Sequence, residues 1–126
     1  MPQSCGPAPT TKFEDVVVWR KAHAMVLAVY HMTARFPSEE RFGLTSQFRR
    51  AAISVAANIA EGYRKRGRAD KIRMLNVAEG SLAECQCYLL LSRDLGYADP
   101  TCLLEQADEV ERLLVGYSHA IAARGA

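Results

Sequence analysis

Arg64, Lys65, Arg66, Arg68, Lys71 and Arg73 fall within ten consecutive positions, a density of cations suited to phosphate, which such clusters attract through counterion release with weak sequence preference. The balance along the chain isolates them. Met1–Glu40 carries four basic and four acidic residues, Arg41–Arg73 nine against two, and Met74–Ala126 three against eight. The net charge of +2 conceals a basic middle third. The same charges also suit the solvated end of a helical bundle. Tyr63, beside the cluster, offers a ring that stacks on a base or closes a core.

A second polar set lies just upstream. At about 100° per residue, Gln47, Arg50, Ser54, Asn58 and Glu61 share one helical stripe, directly beside an apolar stripe of Leu44, Phe48, Ala51, Val55 and Ile59. In the following segment Glu79 falls on the stripe Ile72, Leu75, Glu79, Leu82, Ala83 and Leu90, so it is expected to be buried and to require a partner. A turn near Arg66 sets Arg50 level with Leu82, within reach of Glu79 or Gln86. Arg50, Ser54, Asn58, Glu61 and Glu79 are therefore expected to form a structural network that fixes helix register.

Signatures of catalysis and metal binding do not emerge. Metal-binding bundles use Glu-x-x-His pairs, and the residues three before His23, His31 and His119 are Arg20, Ala28 and Gly116. His23 reads as a packed histidine at the edge of an apolar face. Gly80–Glu84 lacks the strand and second glycine of a nucleophile elbow, and no glycine loop leads into Lys-Ser or Lys-Thr. Cys85 and Cys87 point about 200° apart on a helix, cannot share a metal, and read as packing residues. Four scattered cysteines suit reduced thiols in a cytoplasmic protein. No enzyme, cofactor or metal is expected.

The elements that must carry these residues all read as helices. The first spans about Val16 to Arg35, with Trp19, Ala22, Val26, Val29, Tyr30 and Thr33 on one face and Pro37 closing it. The second runs from Leu44 to Gly62 or Tyr63, and Gly67 breaks the connector after it. The third runs from about Ala69 to Leu95, with Gly96 as its stop. Asp99 and Pro100 open a fourth, whose stripe is Leu103, Ala107, Val110, Leu114, Tyr117 and Ile121. The residues before Lys12, with three prolines and no periodicity, read as a disordered tail over 1–11, leaving one domain over 12–124.

Four helices with short loops predict an all-α, up-down-up-down antiparallel four-helix bundle. Its connectivity sets the basic connector at the same end as the start of the first helix and the end of the fourth. No apolar run reaches the roughly 20 residues of a membrane span without a charge, and no signal peptide is evident. Ten uncharged residues from Ala51 to Ala60 nonetheless leave the second helix apolar on more sides than one bundle covers, and Val77, Tyr88 and Leu91 extend beyond the stripe of the third. A homo-oligomer is the expected way to bury them.

Phe13–His23 (FEDVVVWRKAH), Phe42–Gly62 (FGLTSQFRRAAISVAANIAEG), Leu75–Glu84 (LNVAEGSLAE) and Leu95–Tyr97 (LGY) resemble the four helix bundle protein family, also called the 23S rRNA intervening-sequence proteins. The accessory variability determinant proteins of diversity-generating retroelements are relatives of that family. The resemblance spans roughly Phe13–Tyr117 and implies a ring-shaped homopentamer of four-helix protomers, encoded in bacteria, with no enzymatic activity assigned. Because the retroelement relatives bind nucleic acid and a reverse transcriptase, it also implies an RNA-binding or accessory role. The chain departs from the family pattern at Asp70–Lys71, where an acidic residue and an aromatic are usual, and at Ala56, where proline is common. The expected function is non-specific binding of RNA or DNA through Arg64, Lys65, Arg66, Arg68, Lys71 and Arg73, with a protein-interaction scaffold as the alternative.

Overall fold

The computed structural model describes residues 12–124, and the expectation for residues 1–11 lies outside them. Its four α-helices are α1 (Val17–Thr33), α2 (Leu44–Arg64), α3 (Arg68–Asp94) and α4 (Thr101–Ala123), preceded by a 3-10 turn at Phe13–Asp15 and with another at Ser38–Glu40. Among the described residues there is no strand. Each helix packs against its two neighbours around a square, α1 on α2, α2 on α3, α3 on α4 and α4 on α1, with the most extensive contact between α2 and α3. This is an antiparallel four-helix bundle.

The helix ends are made by specific side chains. Thr33 Oγ1 donates to the Val29 carbonyl at 2.7 Å and accepts from Arg49 Nε at 2.8 Å, while the Arg49 guanidinium lies 4.4 Å from the centre of the Tyr30 ring. Arg49 thereby ties α2 to the last turn of α1, where a cation also complements the helix dipole. Glu40 opens α2 by accepting the Leu44 amide at 3.1 Å, and its other oxygen accepts the Tyr97 hydroxyl at 2.8 Å. At the end of α3, Gly96 takes φ +76°, and the Tyr97 and Gly96 amides bond the Ser92 and Arg93 carbonyls. That pattern is a Schellman closure, which favours glycine at the left-handed position. Asp99 accepts the Thr101 amide at 3.0 Å and hydroxyl at 2.6 Å, hydrogen bonds that hold its carboxyl below the usual range.

The core confirms two stripes in full or nearly so and corrects two. In α2, Leu44, Phe48, Ala51, Val55 and Ile59 are all buried, and in α4 so are Leu103, Ala107, Val110, Leu114 and Ile121, with Tyr117 half-buried. In α1, Ala22, Val29 and Thr33 are buried as expected, but Val18 and Met25 replace Trp19, Val26 and Tyr30, which lie at the margin or on the surface. In α3 the buried stripe is Met74, Leu75, Ala78, Ser81, Leu82, Cys85, Leu89 and Ser92; Ala83 and Leu90 are exposed, and Glu79 is only half-buried. Small residues occupy the seam because α2 approaches closely there, and their weak hydropathy concealed the phase.

Cys85 is buried and its thiol is pushed up to about 12, chiefly by burial, with the Glu84 charge adding to it. Cys87, expected to pack, is exposed, as is Cys102. A thiolate is the reactive species. Cys87 and Cys102 should therefore label readily with a thiol reagent in the native protein while Cys85 labels only after unfolding, as peptide mapping by mass spectrometry would record. Native labelling of Cys85 as fast as Cys87 would contradict this packing.

Candidate nucleic-acid interface

The chain reverses between α2 and α3 through Lys65, Arg66 and Gly67, and the register of that reversal sets where the cations project. Gly62 is buried against α3: a Cβ there would lie 3.3 Å from Leu75 Cδ2, the Lys71 carbonyl and Met74 Cβ. The end of α2 thus rests on the second turn of α3, and the first turn, Arg68–Asp70, extends beyond it. Lys71 Nζ turns back to donate to the Tyr63 carbonyl at 2.7 Å and the Gly62 carbonyl at 3.3 Å, capping α2. Lys71 therefore has a structural task in addition to its charge, and explains how a lysine is accommodated at this position.

The other five cations differ in their engagement. Lys65 approaches Glu61 at 3.9 Å and Arg73 approaches Asp70 at 3.4 Å, both exposed pairs worth little. Arg68 Nη1 donates to the Arg124 carbonyl, bringing the start of α3 to the end of α4. Arg64 and Arg66 are exposed and make no hydrogen bond or ion pair within the described residues. At this end Tyr63, Arg66, Arg68, Lys71, Tyr117, Ile121 and Arg124 line an open pocket of about 460 Å³. Burial raises the Tyr117 hydroxyl above its ordinary range, nearby Tyr63 adds to the rise, and Arg124 opposes it. Tyr117 and Arg124 were missed as members of the site. The up-down connectivity that brings the end of α4 to this end was the available signal.

The expected register network takes a smaller form. Ser54 and Ser81 hydroxyls share a hydrogen bond of 2.8 Å, and Asn58 Nδ2 donates to the Ser54 carbonyl at 2.8 Å and hydroxyl at 3.0 Å. The Ser54–Ser81 pairing sets Arg50 level with Cys85 rather than Leu82, a shift of about 4.5 Å along the helix. Arg50 consequently lines a polar groove with Gln47 and Glu84, Glu61 faces Lys65, and Glu79 is outside the network. The overhang of the first turn of α3 is the cause of the shift.

An apolar groove of about 350 Å³ opens between α1 and α2, lined by Phe13, Trp19, His23, Val26, Ile53, Ala56, Ala57 and Ala60. His23, expected to be packed, is exposed, with its ring stacked on Trp19 at 4.7 Å and 19°. Ile53 is 44% exposed here, and Val77 and Leu91 of α3 are also exposed. Among the described residues, no three His, Cys, Asp or Glu side chains gather into a metal-holding group, and no helix is long and apolar enough to cross a membrane.

Residues 14–116 match the profile of the 23S rRNA-intervening sequence protein family, from the turn before α1 to the last turns of α4. The chain belongs to this family. A crystal structure of a protein from Bacteroides thetaiotaomicron, described as of unknown function and from the S23 ribosomal protein family, is similar in fold to this 23S rRNA-intervening sequence family member. The two share 24% identity with a TM-score of 0.74, over 80% of this chain and 97% of the other. No curated protein sequence matches significantly. This intervening-sequence family chain and its structural relative therefore share the bundle, and the cation-rich end must be interpreted from its own chemistry.

Proposed function

We propose that this protein is a non-enzymatic, cytoplasmic, oligomeric bundle that binds RNA or DNA through the end formed by the α2–α3 connector. The observation that carries this reading is the pair Arg64 and Arg66, exposed and, among the described residues, without a hydrogen bond or ion pair, beside a cleft whose described lining holds four cations and no acidic side chain. Exposed cations without internal partners attract polyanions and set on-rates through their field.

Assembly strengthens the reading. The apolar groove beside Ile53 suits burial against another copy, and the family resemblance favours a ring-shaped homopentamer, in which every protomer adds its cations to one rim. The same groove supports the second reading, a scaffold for another protein such as a reverse transcriptase. A pull-down resistant to nuclease, with no binding to free nucleic acid, would favour that second reading; assembly is tested separately by light scattering, where a closed oligomer is expected and a monomer at micromolar concentration would contradict it.

Labelled single- and double-stranded RNA, titrated at rising salt and followed by fluorescence anisotropy, tests binding. Affinity should fall as salt rises, with a log–log slope of about 0.7 to 0.9 per phosphate contacted. Replacing Arg64, Lys65, Arg66 and Arg68 by glutamine should lower low-salt affinity at least about tenfold and flatten that slope by about two to four units. Affinity that is absent at low salt, or unchanged in the variant, would refute the proposal.

A further inference from the structure

The pocket between the α2–α3 connector and the end of α4 has two chemically different sides. Tyr63, Tyr117 and Ile121 supply aromatic and apolar surface, while Arg66, Arg68, Lys71 and Arg124 supply positive charge. The nearest connector acids face elsewhere, Glu61 toward Lys65 and Asp70 toward Arg73. Lys71 directs two donor contacts at the Gly62 and Tyr63 carbonyls and lies 5.8 Å from the centre of the Tyr63 ring, but an ammonium has three donors. The volume of about 460 Å³ lies in the small-ligand range of roughly 300–1,000 Å³.

We infer that this pocket takes one unpaired nucleotide of a bound strand, with its base against the tyrosine side and its phosphate against the Arg66 and Arg68 side. The inference rests on the nucleic-acid-binding reading above and adds a preference for single-stranded ends and bulges. A paired, stacked base cannot present its face to a side chain, whereas an unpaired one stacks on aromatic rings with little regard to sequence. A site for inorganic phosphate alone would have no use for two tyrosines. An apolar ligand would make no use of the charge on Arg66, Arg68, Lys71 and Arg124. A nucleotide matches both sides at once.

The test compares a blunt duplex with the same duplex carrying a short single-stranded overhang, for the full chain and for Tyr63→Leu. The overhang should bind about tenfold more tightly, and Tyr63→Leu should abolish that preference while leaving helical circular dichroism unchanged. As a measurement independent of any variant, adenosine monophosphate should displace the overhang substrate at concentrations where inorganic phosphate does not. Equal affinity for the two duplexes, or displacement by phosphate equal to that by the nucleotide, overturns the inference and leaves the general reading standing. Failure of both duplexes to bind overturns that reading and this inference with it.

Discussion

Phe48→Ala should lower the unfolding free energy by about 3–5 kcal/mol, the largest effect expected of any single truncation in this bundle. Phe48 is fully buried on α2, and its ring lies 5.8 Å from that of Tyr88 on α3 at a 54° tilt. Removing it deletes apolar burial and leaves a cavity between helices that are already closely packed, so the surroundings cannot collapse to fill it. For a chain of this size the melting temperature should fall by about 10–25 °C. Phe48→Leu retains most of the volume and should cost less than half as much. Denaturant titrations at one fixed protein concentration compare the three proteins without interference from assembly. A loss below about 1.5 kcal/mol for the alanine variant would show that Phe48 is not at the centre of the core.

Gly62→Val should come next, at about 1–3 kcal/mol, and should also weaken the basic end. The first carbon of any side chain would meet the Lys71 carbonyl and Met74 Cβ at 3.3 Å, and valine adds two methyl groups with one preferred rotamer in a helix. The simplest relief is separation of α2 from α3, which draws Lys71 off the Tyr63 and Gly62 carbonyls and moves Arg68. Gly62→Ala is a sharper comparison, because alanine gains about 1 kcal/mol in helix propensity while the tight contact opposes it. The alanine variant should be near neutral and the valine variant clearly destabilised, with lower affinity for RNA. If valine were tolerated as well as alanine, Gly62 would not set the spacing of the two helices.

The fate of the polar residues follows from that spacing. Ser54 and Asn58 do join a small network, but with Ser81, a small polar residue whose place on the buried stripe of α3 no hydropathy pattern marks. Large side chains at Leu90 and Leu91 dominate a hydropathy pattern, while close packing selects small ones at Ala78, Ser81 and Cys85. A turn centred near Arg66 brings Arg50 to Glu79, whereas in the fold α3 overhangs α2 by most of a turn. A three-residue error in register is enough to exchange Glu79 for Glu84 as the acid near Arg50.

The four helices, their approximate limits, the antiparallel order and the buried faces of α2 and α4 are legible in the linear chain. These depend on local capping, breakers and strong 3.6-residue periodicity, all of which act within one segment. Asp99 before Pro100 and the glycine at 96 carry the same boundary information in the folded chain as in the linear one. Only the tertiary structure decided how the cations divide: Lys71 inward on the end of α2, Arg68 across to Arg124, Arg64 and Arg66 outward. It also brought Tyr117, more than fifty residues away, to the same pocket as Tyr63. The physical reason is that register between helices depends on the fit of small residues such as Gly62 and Ser81 at one crossing, and no periodicity along a single helix encodes that fit.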